Sequence, residues 1–515
     1  MMILTLKRLR INRLLYQLHR WTGVAACALM LLWFISGMVM LFVGYPKLTP
    51  WERLGALPAL ASTLSPACCR LPLAQVSLPA DAREIALTTV AGVPVYRVRD
   101  GGARLRLFDA ANGQLLPPAS AATALASARA FVPGAAAHYL GLLQEDRWTH
   151  SRSLDVHRPL HQVQMMDAAR TLLYLSSATG EVVLDAPRDQ RLWNFVGAWL
   201  HWVYPLRNHS SDPVWNWIII IASAVATLTA LTGTVAGIWR WRFTGRYKSG
   251  ARTPYRASSM RWHHVTGLLF AGFVCAWIFS GLMSMNPLRI FDPQGQRPDL
   301  AAWQGGTPAT RQLDVTAQQA LALFAARGLD AVELEWRVLD GQPCLLARDG
   351  AARTRLLTRQ DDQLLVREQW SEQQLLRAAG KLMPGTRARS VWLSSYDAYY
   401  YGREPEAMMG YLERRLPVLQ VRFDDPQANW VYLDPYTGTV ALGVDRRQRV
   451  SRWLFSFLHS WDLPPLLRSG PWREGVLILL SLGGLALSAT GIVIGWQRLR
   501  TKWRAGTARW AGGGR

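Results

Sequence analysis

The chain has 515 residues, half of them hydrophobic, and a formal net charge of +23. This length allows several domains, and a strongly basic balance can indicate nucleic-acid binding. The basic residues are, however, concentrated in residues 1–20, 240–262 and 496–515, which hold five, seven and six Lys/Arg and no Asp or Glu. Short basic segments beside apolar stretches are typical of the cytoplasmic parts of membrane proteins, so nucleic acid is not an expected partner.

Four uncharged stretches predict membrane-spanning helices, because a helix needs about 20 mostly apolar residues to cross a bilayer. They are residues 21–46, 214–239, 265–288 and 475–497. With the basic segments inside, both termini and the central loop face the cytoplasm. The two long segments between the spans then lie outside.

The predicted organisation alternates the spans with two large exported α+β domains. Residues 84–98 and 103–108 alternate apolar and polar side chains like strands. Residues 314–327 have helical spacing, and strand-like runs follow at 332–339, 343–348 and 353–358. The predicted divisions are a cytoplasmic tail and first span (1–46), the first exported domain (47–190), an interfacial helix and second span (191–240), a cytoplasmic loop (241–262), the third span (263–288), the second exported domain (289–448), an interfacial helix and fourth span (449–498), and a cytoplasmic tail (499–515).

Two blocks of the chain occur twice. Residues 174–240 align without a gap with residues 432–498, and the residues around the first span recur around the third. The repeated positions include four histidines, namely His19, His201, His263 and His459. Because both halves enter the membrane in the same direction, we predict two parallel repeats related by a pseudo-two-fold axis along the membrane normal. His19 then faces His263 near the cytoplasm, and His201 faces His459 near the outside.

Two imidazoles that face each other in an apolar setting are suited to a flat bis-histidine macrocycle. A histidine in a span is costly without a partner, so it is a functional candidate. Haem iron takes axial imidazole ligands. No C-x-x-C-H motif for covalent haem occurs, so the predicted cofactors are two non-covalent b-type haems (haem b). The repeated glycines that would give the porphyrin faces room are Gly23, Gly37, Gly267 and Gly281.

Several alternatives stay open from the residues alone. His264 is adjacent to His263 and is the second choice of ligand, because its repeat counterpart is an arginine. Zinc would need four nitrogen or sulfur ligands in one cluster, whereas these histidines divide into two pairs. A histidine at a span end is often merely interfacial. The G-x-x-x-G motifs at Gly233 and Gly491 are more often helix-packing motifs than cofactor pockets.

The cytoplasmic side offers no room for a nicotinamide or flavin domain, and no G-x-G-x-x-G follows a predicted strand. The electron donor is therefore predicted to be a membrane quinol or a separate cytoplasmic protein. The acceptor is expected outside, where a bulky anionic chelate could bind aromatic and basic side chains, namely Tyr396, Tyr399, Tyr400, Tyr401, Arg403 and Arg415. An ordinary strand edge is the alternative interpretation of this tyrosine-rich run.

Four motifs together resemble the PepSY-associated transmembrane-helix family. They are L-H-R-W-T-G at residues 18–23, a Tyr-x4-Thr-Gly in each exported segment, the repeated Leu-His pair, and Y-D-A-Y-Y at residues 396–400. The family includes bacterial inner-membrane reductases of iron–siderophore complexes. The resemblance implies a membrane α+β fold with four transmembrane helices, two periplasmic PepSY-like α+β domains and two haem b groups. It also implies that the axial ligands are His19, His201, His263 and His459.

The predicted function is that of a dihaem oxidoreductase in the bacterial inner membrane. It would pass electrons across the bilayer to a periplasmic ferric chelate, a ferric siderophore, and release Fe(II) for iron uptake. The alternative is a non-enzymatic PepSY-type membrane binding or regulatory protein. Repeated histidines at two depths favour the oxidoreductase, because a regulator needs no histidine in its spans.

Overall fold

The computed structural model describes residues 2–63, 73, 76, 78–209, 211–405, 407–408 and 410–512, with side chains among residues 11–504. The chain forms two compact units. The helical unit comprises Met1–Gly44, Trp193–Asp292 and Arg449–Arg515, and the sheet unit comprises Tyr45–Leu192 and Pro293–Gln448.

The α-helices are numbered in chain order over both units. They are α1 (Met2–Met40), α2 (Pro50–Gly55), α3 (Leu60–Thr63), α4 (Ala121–Phe131), α5 (Arg188–Asn194), α6 (Pro213–Arg240), α7 (Ser258–Leu269), α8 (Ala271–Ser284), α9 (Leu300–Gln304), α10 (Ala317–Ala325), α11 (Glu372–Leu382), α12 (Arg446–Ser451), α13 (Leu458–Ser460), α14 (Pro464–Leu467) and α15 (Pro471–Gly512).

The strands all belong to the sheet unit. They are β1 (Glu84–Val90), β2 (Val93–Arg99), β3 (Leu105–Asp109), β4 (Ala137–Leu143), β5 (Leu160–Met165), β6 (Leu172–Ser176), β7 (Val182–Ala186), β8 (Ala331–Leu339), β9 (Gln342–Asp349), β10 (Thr354–Gln360), β11 (Gln363–Arg367), β12 (Ala388–Leu393), β13 (Val418–Phe423), β14 (Trp430–Asp434) and β15 (Thr439–Val444).

Among the described residues, three helices are long and apolar enough to cross a membrane: Ile11–Met40, Pro213–Arg240 and Pro471–Arg504. A fourth candidate is broken, because α7 and α8 meet at an angle of 74°. The sequence predicts a continuous third span at residues 265–288, whereas the structure has two helices with a bend between them. At the break, Phe270 leaves the helical conformation (φ −103°, ψ 8°). Its ring packs against α15 at Gly483, where a Cβ would lie 2.4 Å from the ring.

The first helix is the centre of the helical unit. α1 packs against both α6 and α15, while α6 packs against α8 and α15 against α7. The buried core of this unit consists of Ala26, Met30, Phe34, Ala226, Val274 and Ile278. Of the repeated histidines, His19 lies on α1, His263 on α7 and His459 on α13.

Three antiparallel sheets build the sheet unit. The central sheet has seven strands in the order β11-β10-β9-β8-β1-β2-β3, and two four-stranded sheets have the orders β4-β5-β6-β7 and β12-β13-β14-β15. Helix α4 packs against the first four-stranded sheet through Ala124 and Ala128. Helix α11 packs against the second through Leu375, Ala378 and Leu382.

The central sheet joins the two long segments that are predicted to form separate domains. β1 from the first segment pairs with β8 from the second, with Ile85 opposite Trp336 and Leu87 opposite Leu334. All four side chains are buried in one core cluster that crosses this junction. The structure thus differs from the prediction of two separate domains, because each half-sheet covers the open edge of the other.

The local predictions for this unit have mixed outcomes. Strands β8, β9 and β10 confirm the three predicted runs, and α10 begins after the N-cap Thr316, which forms a capping box with Gln319. The single strand predicted over residues 84–98 is wrong. It is a hairpin, because Ala91 and Gly92 both adopt positive φ (53° and 79°) and turn the chain.

Candidate functional site

The repeated histidines form two facing pairs within the helical unit. The rings of His19 on α1 and His263 on α7 have centroids 6.2 Å apart and planes inclined at 37°. The rings of His201 and His459 are also 6.2 Å apart, with planes at 71°. The pairing expected from the sequence repeats is therefore present in the structure.

Main-chain carbonyls orient the His19–His263 pair. Nδ1 of His19 lies 3.0 Å from the carbonyl oxygen of Thr229. Nδ1 of His263 lies 3.2 Å from the carbonyl oxygen of Leu487 and 3.1 Å from the hydroxyl of Thr490. A carbonyl oxygen can only accept a hydrogen bond, so Nδ1 carries the proton in both rings. The lone pair of each ring is then on Nε2.

Serine hydroxyls orient the His201–His459 pair. Oγ of Ser36 lies 2.9 Å from Nδ1 of His201, and Oγ of Ser280 lies 3.0 Å from Nδ1 of His459. Each serine already donates its proton to a helix carbonyl, of Leu32 and Trp277 respectively. Each hydroxyl therefore accepts from Nδ1, and these rings have the same tautomer as the first pair.

All four rings keep the second nitrogen available. Within the described part of the chain, none of the four Nε2 atoms has a hydrogen-bond partner. A histidine that binds a metal through one ring nitrogen almost always donates the N–H of its other ring nitrogen to a carbonyl oxygen or another acceptor. The four side chains thus form two facing pairs with the tautomer that a metal ligand requires.

A cavity of about 880 Å³ surrounds the His19–His263 pair, a volume typical of small-molecule sites. Both histidines line it, together with six glycines, among them Gly23, Gly233, Gly267 and Gly491. At Gly233 a Cβ would lie 2.5 Å from Cε1 of His19, so this position admits only glycine beside the ring. At Gly491 a Cβ would lie 3.5 Å from Cε1 of His263.

Gly233 and Gly491 are not among the site residues that the sequence predicts. Their G-x-x-x-G motifs predict helix-packing positions, but both also form cavity wall beside a histidine. Their repetition next to Thr232 and Thr490 was the available signal. The predicted Gly23 and Gly267 do line the cavity, whereas Gly37 and Gly281 lie beside the other pair. There a Cβ would be 3.7 Å from His201 and 3.9 Å from His459.

Arginines line the same cavity as the His19–His263 pair. Arg13, Arg20, Arg240 and Arg498 are all wall residues, and no Asp or Glu is among the described residues that line it. The guanidinium of Arg240 also lies 4.7 Å from the ring centre of Tyr16. The cavity therefore combines two free imidazole nitrogens with unneutralised positive charge, which favours an anionic ligand.

The second-choice ligand His264 has a different environment. Its Nδ1 lies 2.7 Å from the hydroxyl of Thr253, and its Nε2 lies 2.9 Å from the carbonyl oxygen of Gly237. Tyr255 and Trp241 pack edge-on against the ring. Since both nitrogens are engaged, the structure favours His263 over His264 as the ligand.

The chain forms the same irregular turn before and after His201 and His459. Phe195–Trp199 and Arg452–Phe457 are π-helical, a conformation that is rare and frequent at functional sites. Two residues beyond each histidine, Val203 and Trp461 adopt positive φ (52° and 49°). Nε1 of Trp33 donates to the carbonyl oxygen of His201 at 2.8 Å, which ties this turn to α1.

The predicted chelate-binding side chains of the sheet unit are used within the protein. Tyr400 is fully buried, stacks on Tyr432 and donates to the carbonyl oxygen of Arg415. Burial raises the pKa of the Tyr400 phenol. Tyr396 donates to the carbonyl oxygen of Arg414.

The remaining members of that predicted set have protein partners as well. Tyr399 packs edge-on against Trp430. The guanidinium of Arg415 pairs with Glu413 and donates to Thr354 and Ala352. Arg403 and Tyr401 also interact within the protein. The prediction that this run binds a chelate is therefore wrong for Tyr400, because its ring is buried and packs against Val418 and Tyr432.

The comparisons with known proteins identify the class of this chain. The protein-family model described as PepSY-associated TM region matches residues 16–383, more than half of the 515 residues. The chain belongs to this family and is a membrane protein with both α-helices and β-sheets. The matched range contains His19, His201 and His263. A comparison with curated proteins found no match.

Proposed function

We propose that the chain is an inner-membrane dihaem oxidoreductase that reduces a periplasmic ferric chelate, a ferric siderophore, and releases Fe(II). The observation that carries this proposal is the set of four Nε2 atoms, which lie in two facing pairs and have no hydrogen-bond partner among the described residues, while every Nδ1 is held by an acceptor. His19 and His263 would ligate one haem b, and His201 and His459 the other. Haem iron would supply reversible one-electron transfer at each pair.

The spacing of the rings fits one metal ion between each pair. A metal–imidazole bond is about 2.0 Å long, so imidazoles on opposite sides of one metal have ring centres about 6 Å apart. Both pairs have a centroid distance of 6.2 Å. The described residues contain no group of three or more His, Cys, Asp or Glu that could hold a metal ion, which disfavours a zinc site.

The cavity around the His19–His263 pair also fits the rest of a haem. Its volume of about 880 Å³ and its glycine walls suit a flat macrocycle. Haem carries two carboxylates, and Arg13, Arg20, Arg240 and Arg498 would hold such groups by charge-assisted hydrogen bonds.

The proposed topology has four spans, counting the bent α7–α8 pair as one. Both termini and residues 241–262 would face the cytoplasm, as the concentration of positive charge indicates. The proposed source of the electrons is a membrane quinol or a cytoplasmic donor protein. The sheet unit would then lie in the periplasm.

Reduction provides a direct route to iron release. Each ferric ion takes one electron, so one quinol, which gives two electrons and two protons, would serve two chelates. Hard oxygen ligands such as hydroxamates or catecholates hold the softer ferrous ion less tightly, so the reduced metal leaves the chelate.

The test follows reoxidation of chemically reduced protein by a ferric siderophore. We expect the reduced haem spectrum to decay at the rate at which a ferrous-specific dye develops colour. The variant His459→Ala should stop this reaction while leaving the His19–His263 haem reducible. If no ferric chelate reoxidises the reduced protein but another periplasmic acceptor does, the iron assignment is contradicted and the two-haem proposal stays intact.

A further inference from the structure

The loop between α6 and α7 and the first turn of α7 carry a surface of exposed cations. Residues 241–262 contain no Asp or Glu. The cations are all exposed, and together we call them the basic surface: Arg242, Arg246, Lys248, Arg252, Arg256 and Arg261.

Hydrogen bonds within the loop give this surface a defined fold. The main-chain N–H of Arg242 donates to the carbonyl oxygen of Arg252 at 3.0 Å, and that of Tyr247 donates to Ala251 at 2.8 Å. The hydroxyl of Tyr247 donates to the carbonyl oxygen of Arg240 at 2.9 Å. The guanidinium of Arg242 lies 4.1 Å from the ring centre of Tyr247. The cations are therefore presented in a fixed arrangement.

The buried side chain of His264 anchors the loop to the two helices that flank it. Its Nε2 donates to the carbonyl oxygen of Gly237 on α6 at 2.9 Å, and its Nδ1 lies 2.7 Å from the hydroxyl of Thr253 in the loop. Tyr255 of the loop packs edge-on against the same ring and lines the cavity of about 880 Å³. Because His264 directly follows His263, the residue that holds the loop is next to a proposed haem ligand.

The acidic residues of the helical unit all lie toward its other end. The sequence of this unit has only four: Asp212 before α6, Asp292 after α8, Asp462 after α13 and Glu474 at the start of α15. The loop begins at the opposite end of α6 from Asp212, about 42 Å away for a helix of 28 residues. The basic surface is therefore not neutralised by carboxylates of its own unit.

Membrane orientation explains only part of this pattern. Lys and Arg set the orientation of a membrane protein, whereas Asp and Glu contribute little to it. Orientation thus accounts for the arginines of the loop but not for the lack of acids or for the fixed fold. A surface of six cations without an acid attracts a partner with an acidic surface and repels a basic one.

The cavity beside the loop favours a donor that gives one electron and no proton. Oxidation of a quinol releases two protons, which need acceptors. No Asp or Glu is among the described residues that line the cavity, and both nitrogens of His264 are engaged. A carrier protein with a one-electron centre needs no proton acceptor.

We infer that the basic surface docks an acidic cytoplasmic one-electron carrier protein, which reduces the haem of the His19–His263 pair. The carrier loses one electron, iron goes from Fe(III) to Fe(II), and no bond forms or breaks. The inference rests on the proposed function for the haem and for the side of the membrane on which the loop lies. The fold and charge of the loop are properties of the helical unit alone.

The first test measures docking by calorimetric titration of the oxidised full-length protein, in phosphatidylcholine nanodiscs, with an acidic plant-type ferredoxin. The variant combining Lys248→Gln, Arg252→Gln and Arg256→Gln should raise the Kd about tenfold at low salt. The difference should vanish near 1 M salt, where charges are screened beyond about 3 Å.

The matched control removes the same charge from the sheet unit. The combination of Arg129→Gln, Arg297→Gln and Arg327→Gln, all at exposed positions, should leave the Kd for ferredoxin unchanged.

The second test is the rate of haem reduction by photochemically reduced ferredoxin in stopped flow. The loop variant should be reduced about tenfold more slowly than the wild type at low salt. Reduced methyl viologen, which is a cation, should reduce both proteins at similar rates and so show that the haem site of the variant is intact. A wild-type protein that neither binds ferredoxin nor is reduced by it, or a loop variant that behaves like the sheet-unit control, would overturn the inference.

Anionic lipid headgroups are the competing partner of a basic surface beside a membrane. Nanodiscs of phosphatidylcholine lack such headgroups, so an effect of the loop variant there reports on the protein partner. If the variant weakens binding only to phosphatidylglycerol vesicles and leaves the ferredoxin Kd and rate unchanged, the surface binds lipid and the inference is overturned.

Failure of this inference is distinguishable from failure of the proposed function. Haem-free protein that binds ferredoxin through the loop would remove the oxidoreductase proposal and keep the docking surface. Haem-containing protein that a quinol analogue reduces, but ferredoxin does not, would overturn the docking surface and keep the oxidoreductase proposal.

Discussion

The two histidine pairs have the same ring separation but different supports. In the His19–His263 pair, main-chain carbonyls of Thr229 and Leu487 accept from Nδ1. In the His201–His459 pair, the hydroxyls of Ser36 and Ser280 take that role. In both pairs the proton is on Nδ1 and the lone pair is on Nε2. The two pairs therefore share one tautomer, although the group that accepts from Nδ1 differs. The comparison shows that only one pair depends chiefly on side chains for its tautomer.

The two halves of the chain show the same divergence away from the histidines. Nε1 of Trp215 donates to the carbonyl oxygen of Trp202 at 2.8 Å. At the equivalent positions, Arg473 donates to the carbonyl oxygen of Ser460. A tryptophan and an arginine therefore donate to equivalent carbonyl oxygens, so the repeat preserves the hydrogen bond and not the residue type.

The largest expected effect comes from removing a ligand. We expect His19→Ala and His263→Ala each to lower the haem content from two to one per chain, with loss of the same haem, because a bis-histidine site needs both rings. His201→Ala and His459→Ala should remove the other haem. Pyridine haemochrome assays with protein quantification measure this content.

Double variants test the assignment of the histidines to pairs. Combining His19→Ala with His263→Ala should cost no more haem than either change alone, whereas His19→Ala with His201→Ala should remove both haems. If His19→Ala and His201→Ala instead abolished one shared haem, the assignment of pairs would be wrong.

The next largest effect is expected from a single methyl group at Gly233. Its Cβ would lie 2.5 Å from Cε1 and 2.9 Å from Nδ1 of His19, so Gly233→Ala should displace the ring and release the haem of that pair. The matched control is Gly491→Ala, whose Cβ would be in ordinary contact at 3.4 Å from Cys27 and 3.5 Å from His263. Equal haem content in both variants would contradict the geometry of this pair.

A smaller effect is expected from the serines, and only at the second pair. Ser36→Ala or Ser280→Ala removes the acceptor of Nδ1 from a buried site, which should weaken haem binding about 10–100-fold. The reduction potential of that haem should also rise, because the imidazole becomes a weaker donor. Haem titration and potentiometry measure both. The control Ser284→Ala, whose hydroxyl donates to Gly281, should change neither.

The smallest effect is expected at Thr490. Thr490→Val removes one acceptor of His263 Nδ1 but leaves the Leu487 carbonyl at 3.2 Å. We therefore expect a loss of haem affinity below about tenfold, less than that of the serine variants. A larger effect than that of Ser280→Ala, measured by the same titration, would show that the carbonyl does not hold this ring.

The sequence repeats were sufficient to predict which histidines meet. Equivalent positions in two halves that enter the membrane in the same direction lie at the same depth, so His19 and His263, and likewise His201 and His459, could be paired without coordinates. The strands β8 to β10 were also predictable, because their alternation is regular and their turns contain Gly or a short polar run.

Features set by long-range packing could not be predicted. The hairpin at Ala91–Gly92 lacks the usual Asn-Gly signal, and the β1–β8 junction depends on the meeting of two distant edges. The role of Gly233 depends on where the His19 ring lies, and the burial of Tyr400 depends on its stacking on Tyr432. Each of these contacts joins residues that no local pattern relates.

The most direct test of the central claim is the haem content of the purified full-length protein from haem-replete cells, with its visible spectrum. We expect two extractable b-type haems per chain, both low-spin, because each would have two histidine ligands. A colourless protein, or one haem whose content is unaffected by His201→Ala and His459→Ala, would contradict it. The colourless result would favour the non-enzymatic membrane binding or regulatory role instead.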